Sequence, residues 1–272
     1  MLRSLNTGVS GLQQFQQRID VIGNNIANVS TVGYKSARAT SSDAFSDQLG
    51  NAIQVGRGVN TGGINSIFTQ GNLMQTGAPS DLAIAGAGFF TVKDPSTGIN
   101  YATRDGSFLV DTNGYLVTTD GLRVQGFSDA GLATRGDVKL DATGAPAGAA
   151  AGARVASYAI DASGKVQVLL DDGTAAFTRG QVLLQDFTTP QALTKEGSNL
   201  YSNLAGAGPL AQTQAPGTGG LGDLQAGQLE MSNVDLAGEF SNLITAQRGF
   251  QANSRIITTS DELLQEIINL KR

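Results

Sequence analysis

Histidine and cysteine are both absent from this 272-residue chain. Their absence excludes Ser-His-Asp and Cys-His nucleophile pairs, zinc sites built on His or Cys, and the side chain that titrates near neutral pH. Disulfides are excluded as well, so cysteine usage says nothing about the compartment. Charge is scarce: 15% of residues are Asp, Glu, Lys or Arg, against about a quarter in an ordinary globular chain. With a net charge of −5 and no basic stripe, nucleic acid and anionic membrane are poor partners. The longest apolar run, LAIAGAGFF at 82–90, is too short to span a bilayer. The opening MLRSLNTGVSGLQQFQ lacks the apolar core of a secretory signal. The chain therefore reads as soluble, with no membrane insertion, unless a signal-independent route exports it.

What is present is a strict seven-residue pattern at each end. Leu5, Leu12, Ile19 and Ile26 lie seven apart, and Phe15, Ile22 and Val29 form a second row three places on. These are the a and d positions of a coiled-coil seam, with Gly8 weakening its start. Leu236, Leu243, Phe250, Ile257 and Leu264 repeat the spacing near the other end, with Ala246 and Ile267 on the adjoining row. Ser232 or Asn233 can cap that second helix, and Asp235 favours its positive end. No proline interrupts it, so it could run about 55 to 60 Å.

Between the helices the pattern changes to short β-rich runs punctuated by Gly, Asp and Asn. FLVDTNGYLV from Phe108 and YAIDASGKVQV from Tyr158 share one layout: aromatic, β-branched residue, Asp, a polar or small pair, Gly, then alternating apolar residues. That layout predicts hairpins turning at Asn113-Gly114 and Ser163-Gly164, with further turns at Asp120-Gly121 and Asp172-Gly173. Two Ala/Gly-rich stretches, 141–154 and 205–220, read as flexible loops.

Motifs that could carry chemistry are weak. AGAGFF at 85–90 lacks the third glycine and following helix of a dinucleotide loop, so it reads as a tight strand entry. DTNGYLVTTDG has its glycine in the wrong place for a calcium loop and lacks the bidentate glutamate. No lysine has a serine three places before it, which excludes an S-x-x-K nucleophile. Asp171-Asp172 and Asp261-Glu262 are accounted for as solvated charges, leaving only a carboxylate pair formed in three dimensions. The expectation is no catalytic residue, no cofactor and no metal.

The information lies in the helices. Ordering the N-terminal segment costs more backbone entropy than burial of its own seam returns, so it needs a partner, and the C-terminal helix is the obvious one. Its off-seam positions carry Gln13, Gln14, Gln16, Gln17, Asn24, Asn25 and Asn28. Between Phe240 and Ser260 the only charges are Arg248 and Arg255. A long solvated helix usually carries many Lys and Glu residues, whereas uncharged amides and hydroxyls can be buried when hydrogen-bonded. The faces fit helices packed on several sides within an assembly. The alternative is an ordinary intramolecular helix pair bracing a monomeric, β-rich binding or carbohydrate-processing domain.

Three segments carry a family resemblance. SGLQQFQQRIDVIGNNIANVSTVGYKS at 10–36 resembles the N-terminal signature of bacterial flagellar rod and hook proteins. GAPSDLAIAGAGFFTV, followed by YATRDGSFLVDTNGYLV, is similar to that family's middle segment, and LEMSNVDLAGEFSNLITAQRGFQANSRIITTSDELLQEIINL to its closing helix. The resemblance implies a non-enzymatic axial subunit, exported through the flagellar type III apparatus and self-assembled into a helical tube beside neighbouring axial proteins. It assigns Asn24, Asn25, Ala27, Asn28, Gly33, Tyr34 and Lys35 to the helix end and the connection beyond it.

Within the family, GLRVQGF at 121–127, the ending INLKR and the short span from Lys35 to VGRGV resemble a hook protein. The length of 272 residues, with only the Ala/Gly-rich stretch near 141–154 where hook proteins insert an outer domain, resembles a distal rod protein. The expectation is a short hook protein, with the distal rod protein as alternative. The expected fold is α+β: helices at 1–30 and 231–272 paired as a coiled coil, an extended connection at 31–75, and an antiparallel β domain at 76–230.

Overall fold

The computed structural model describes residues 2–44, 47–48, 54–146, 153–172, 175–209 and 212–270. They form an N-terminal helix α1 (Leu2–Ala27), a succession of short strands and a C-terminal helix α2 (Leu236–Leu270). Two compact units result: one of Met1–Val29, Lys35–Ile67 and Val234–Arg272, the other of Ser30–Tyr34 and Phe68–Asn233. No described helix is long and apolar enough to cross a membrane.

The first unit holds both helices and a hairpin. Ala37–Asp43 pairs antiparallel with Val59–Ser66, so part of the span read as an extended connection is paired strand. Glutamines of α1 hold that hairpin: Thr61 donates its hydroxyl to Gln14 and Gln17, at 3.0 and 2.5 Å. The Val59 amide donates to the Ser10 hydroxyl at 3.3 Å. Amides read as off-seam thus bond within their own chain.

The second unit is antiparallel β, as its alternating runs imply. Its main sheet runs in the order Val155–Ile160, Lys165–Leu170, Phe177–Val182, Arg123–Phe127, Phe89–Lys93, Asn100–Thr103, Leu200–Ser202, Thr194–Gly197. The central strand Phe89–Lys93 is buried on both faces, which explains why FFTV does not alternate. Phe90 and Val92 enter the main core with Leu82, Val124, Val166 and Leu184. Phe89 points the other way, into an aromatic cluster with Phe68, Phe187 and Tyr201 whose ring centroids lie 5.5, 5.5 and 6.1 Å from its own.

The two hairpins read from sequence are present and share one turn. Gly114 and Gly164 both sit at φ +81, a conformation that disfavours any side chain. Each donates its N–H to an aspartate carbonyl three residues back, Asp111 or Asp161, at 2.8 and 2.9 Å. Each glycine carbonyl then accepts from a neighbouring segment, Leu140 at 2.6 Å and Val182 at 2.8 Å. The Gly121 turn is likewise present, whereas Gly173 and residues 147–152 lie outside the described residues. The second stretch read as a flexible loop differs from that expectation. Leu184 and Gln214 exchange backbone hydrogen bonds of 2.9 and 2.8 Å, and Pro209 bridges to Phe187, so it is stitched to the sheet.

One carboxylate gives the second unit a pH dependence. Burial opposes ionisation of Asp141, but hydrogen bonds from Arg179 and Lys139 outweigh it and hold its pKa down to about 2. Because the folded pKa lies below the unfolded value of about 4, the stabilisation is complete above that value and is lost as pH falls towards about 2. Asp141→Asn is expected to flatten the fall in denaturation midpoint over that window. An unchanged slope would count against the assignment.

Candidate functional site

The two helices pack antiparallel, as successive contacts show. An added Cβ at Gly8 would lie 3.2 Å from Ile257, one at Gly11 2.9 Å from Asn253, and one at Gly249 against the Phe15 ring. Asn25 reaches Glu239 at 3.2 Å. The glycines at these three points leave room for Ile257, Asn253 and Phe15 of the facing helix, which an added Cβ would crowd. Gly249→Val should push the Phe15 ring aside and cost about 1 to 3 kcal/mol, less about 0.5 from improved helix propensity. Thermal unfolding followed at the helix band would read it.

The seam residues are distributed unevenly. Ile22 is buried; Leu5, Leu12, Phe15, Ile19, Ile26 and Val29 are half-buried. On α2, Leu243, Ile257 and Leu264 are half-buried, whereas Leu236 and Phe250 are exposed. The buried positions of α2 are Ala246 and Ser260, with half-buried Asn253 between them at the same spacing of seven. That row was half legible through Ala246, but counting only apolar residues passes over Asn253 and Ser260. Ser260 satisfies its hydroxyl on the Ile256 carbonyl at 2.7 Å and Asn253 its amide on Gly249 at 3.0 Å. Phe240, Ile244, Ile256, Leu263, Ile267 and Ile268 leave α2 with apolar flanks exposed in the single chain.

The asparagines closing α1 have three different fates. Asn24 is exposed. Asn28 donates to the Asn24 carbonyl and side-chain oxygen at 2.9 and 2.7 Å, which closes the helix end. Asn25 is 1% exposed and clamps the first strand: its oxygen accepts from Ala37 N–H at 3.0 Å while its amide donates to Ala37 C=O at 2.9 Å. At the start of α2, Asp235 accepts from the Ala237 amide at 3.1 Å, and Asn233 donates to Thr69.

Gly33 and Tyr34 belong to the second unit and Lys35 to the first. Gly33 has φ +69, and a Cβ there would lie 2.6 Å from the Asp105 amide nitrogen; its own N–H donates to Glu230 C=O at 2.7 Å. Tyr34 is buried, with the Lys195 ammonium 4.8 Å from its ring centroid. Burial lowers the Lys195 pKa. Lys35 is fully buried. Among the described residues no group of His, Cys, Asp or Glu could hold a metal ion.

Three family models cover the segments that build this geometry. Residues 5–35 match the flagella basal body rod protein family, 83–168 the flagellar hook protein FlgE/F/G D1 domain, and 225–270 the flagellar basal body rod FlgEFG protein C-terminal family. The flagellar basal-body rod protein FlgG of Bacillus subtilis is 42% identical over the whole of both chains. The chain belongs to the flagellar rod and hook protein family.

FlgG of Caulobacter vibrioides is 35% identical, covering 99% of this chain and all of that one. The flagellar hook protein FlgE of Borreliella burgdorferi is 27% identical over an alignment of 445 positions covering both chains. The protein is thus a flagellar axial structural protein of the basal body or hook, and its family is structural rather than enzymatic. Rod and hook proteins assemble with other axial proteins of the flagellum.

Proposed function

We propose that the chain is a subunit of the distal flagellar rod, replacing the hook reading that its short motifs suggest. The single observation that carries this is the match with rod proteins named FlgG from end to end, at 42% identity with neither chain left over. The hook relative reaches its match only through an alignment of 445 positions for this chain of 272 residues. That difference is what an additional outer domain in the hook protein requires.

In this reading copies of the chain stack into a helical tube that serves as drive shaft and export channel, after passage through the type III apparatus. The terminal helices line it as coiled coils whose seams are completed by neighbours. The exposed apolar flanks of α2 support this, because an isolated chain gains nothing by leaving Phe240, Ile244, Leu263 and Ile267 in water. Purified full-length protein should polymerise into straight tubes visible by electron microscopy. Curved, supercoiled tubes would restore the hook reading, and a strictly monomeric protein would support the bracing-helix alternative.

A further inference from the structure

A cavity of about 300 Å³ opens in the first unit beside the end of α1 and the start of α2. Arg18 of α1 and Arg38 of the first strand line it, together with Glu239 and Asn242 of α2. Neither arginine forms an ion pair with any described residue, and Glu239 lies among them without salt-bridging either. Two guanidinium groups against one carboxylate leave the cavity with a net positive charge, in a chain that is otherwise poor in charge and net acidic. Guanidinium groups present a planar fork of donors suited to carboxylates.

The opposite end of the antiparallel pair carries the matching chemistry. Asp261, Glu262 and Glu266 of α2 are exposed, and none makes an ion pair with a described residue. From Glu239 to Glu262 the helix advances about 34 Å, so these carboxylates cannot reach the cavity of their own chain. Resting on the rod reading, we infer that the Arg18–Arg38 cavity of one copy receives the Asp261, Glu262 and Glu266 segment of the next copy along the tube. A contact between two different patches at opposite ends of one helix pair is heterologous. Such a contact closes into a ring or propagates as an open helical filament according to the rotation between copies, unlike a two-fold dimer contact, and the tube of the rod reading is the open case. The Asn25 clamp on Ala37 holds the strand that carries Arg38 at the cavity wall, so in this inference Asn25 acts on assembly indirectly.

Charge reversal of the full-length chain tests this. R18E/R38E and D261K/E262K/E266K should each keep the circular dichroism of the unaltered protein yet raise its critical concentration for polymerisation by about tenfold or more. An equimolar mixture of the two, or one chain carrying all five changes, should restore assembly. Because the chain has no cysteine, an R38C/E262C variant offers a second reading: its disulfide should link separate chains into ladders under assembly conditions. Normal polymerisation of R18E/R38E, or its loss without rescue by the complementary chain, overturns the inference while leaving the rod reading intact. Failure of the unaltered chain to polymerise overturns the rod reading and the inference with it.

Discussion

Glu230→Ala is expected to cost the second unit about 3 to 5 kcal/mol. Glu230 is 1% exposed and Arg104 5%, and they pair at 3.2 Å. The other Glu230 oxygen accepts from the Gly71 amide at 2.9 Å. Arg104 also lies over the Phe89 ring, 5.0 Å from its centroid, which ties the pair to the aromatic cluster. Burial lowers the Arg104 pKa, and the charge of Glu230 acts in the opposite direction. Truncating the glutamate leaves a buried cation facing a ring and an orphaned Gly71 amide. The Arg104 Nε atom already has no hydrogen-bond partner among the described residues, so little is available to compensate.

The double variant Arg104→Met/Glu230→Leu should lose much less, because two apolar side chains need no partners. Denaturation midpoints of the two singles and the double close the cycle. A double loss equal to the sum of the singles would show that the pair is not coupled.

Asn25→Ala is expected to cost the helix–hairpin unit about 2 to 4 kcal/mol. The Asn25 amide imitates a neighbouring strand, giving Ala37 one donor and one acceptor, and a third bond of 3.2 Å reaches Glu239. Alanine removes all three without offering a replacement. Asn25→Asp should be worse at neutral pH. The new carboxylate can still accept from the Ala37 amide but opposes both the Ala37 carbonyl and Glu239. Like charges at this distance in a site 1% exposed favour a shared proton, so the folded state of the variant binds protons more tightly than the unfolded one. Its stability should therefore recover as pH falls from 7 towards the carboxylate range, the reverse of the Asp141 behaviour. Hydrogen exchange at the Ala37 amide reads the clamp directly: faster exchange in both variants is expected, and unchanged protection would refute it.

These two sites show where sequence reading stops. Both Glu230 and Asn25 lie in segments that the pattern marks, one at the end of a β run and one in the asparagine cluster. Their charged partners lie far off in sequence: Arg104 is 126 residues from Glu230, and Glu239 is 214 from Asn25, although Ala37 is only 12 from Asn25. A single sequence carries no signal for such pairs. Local signals fared better. The D-x-x-G turns at Gly114 and Gly164 were legible because a tight turn with positive φ is decided by its own four residues. Likewise the stretch 205–220 looked like a free loop because its composition is flexible, and only tertiary pairing with Leu184 and Phe187 holds it on the sheet.

The distinction between rod and hook had a related cause. GLRVQGF and INLKR are short, and a few matching residues weigh less than agreement along the whole chain. The sequence by itself determined that two long helices flank an antiparallel β region, because heptad and period-two patterns and turn glycines are local properties of the chain. It also determined the absence of His and Cys chemistry. Only the tertiary structure decided the antiparallel pairing of α1 with α2, the glycines that leave room for side chains of the facing helix, and the placing of Arg18 beside Arg38. Those arrangements depend on groups 20 to more than 200 residues apart, and their energies exist only once packing has brought the groups together.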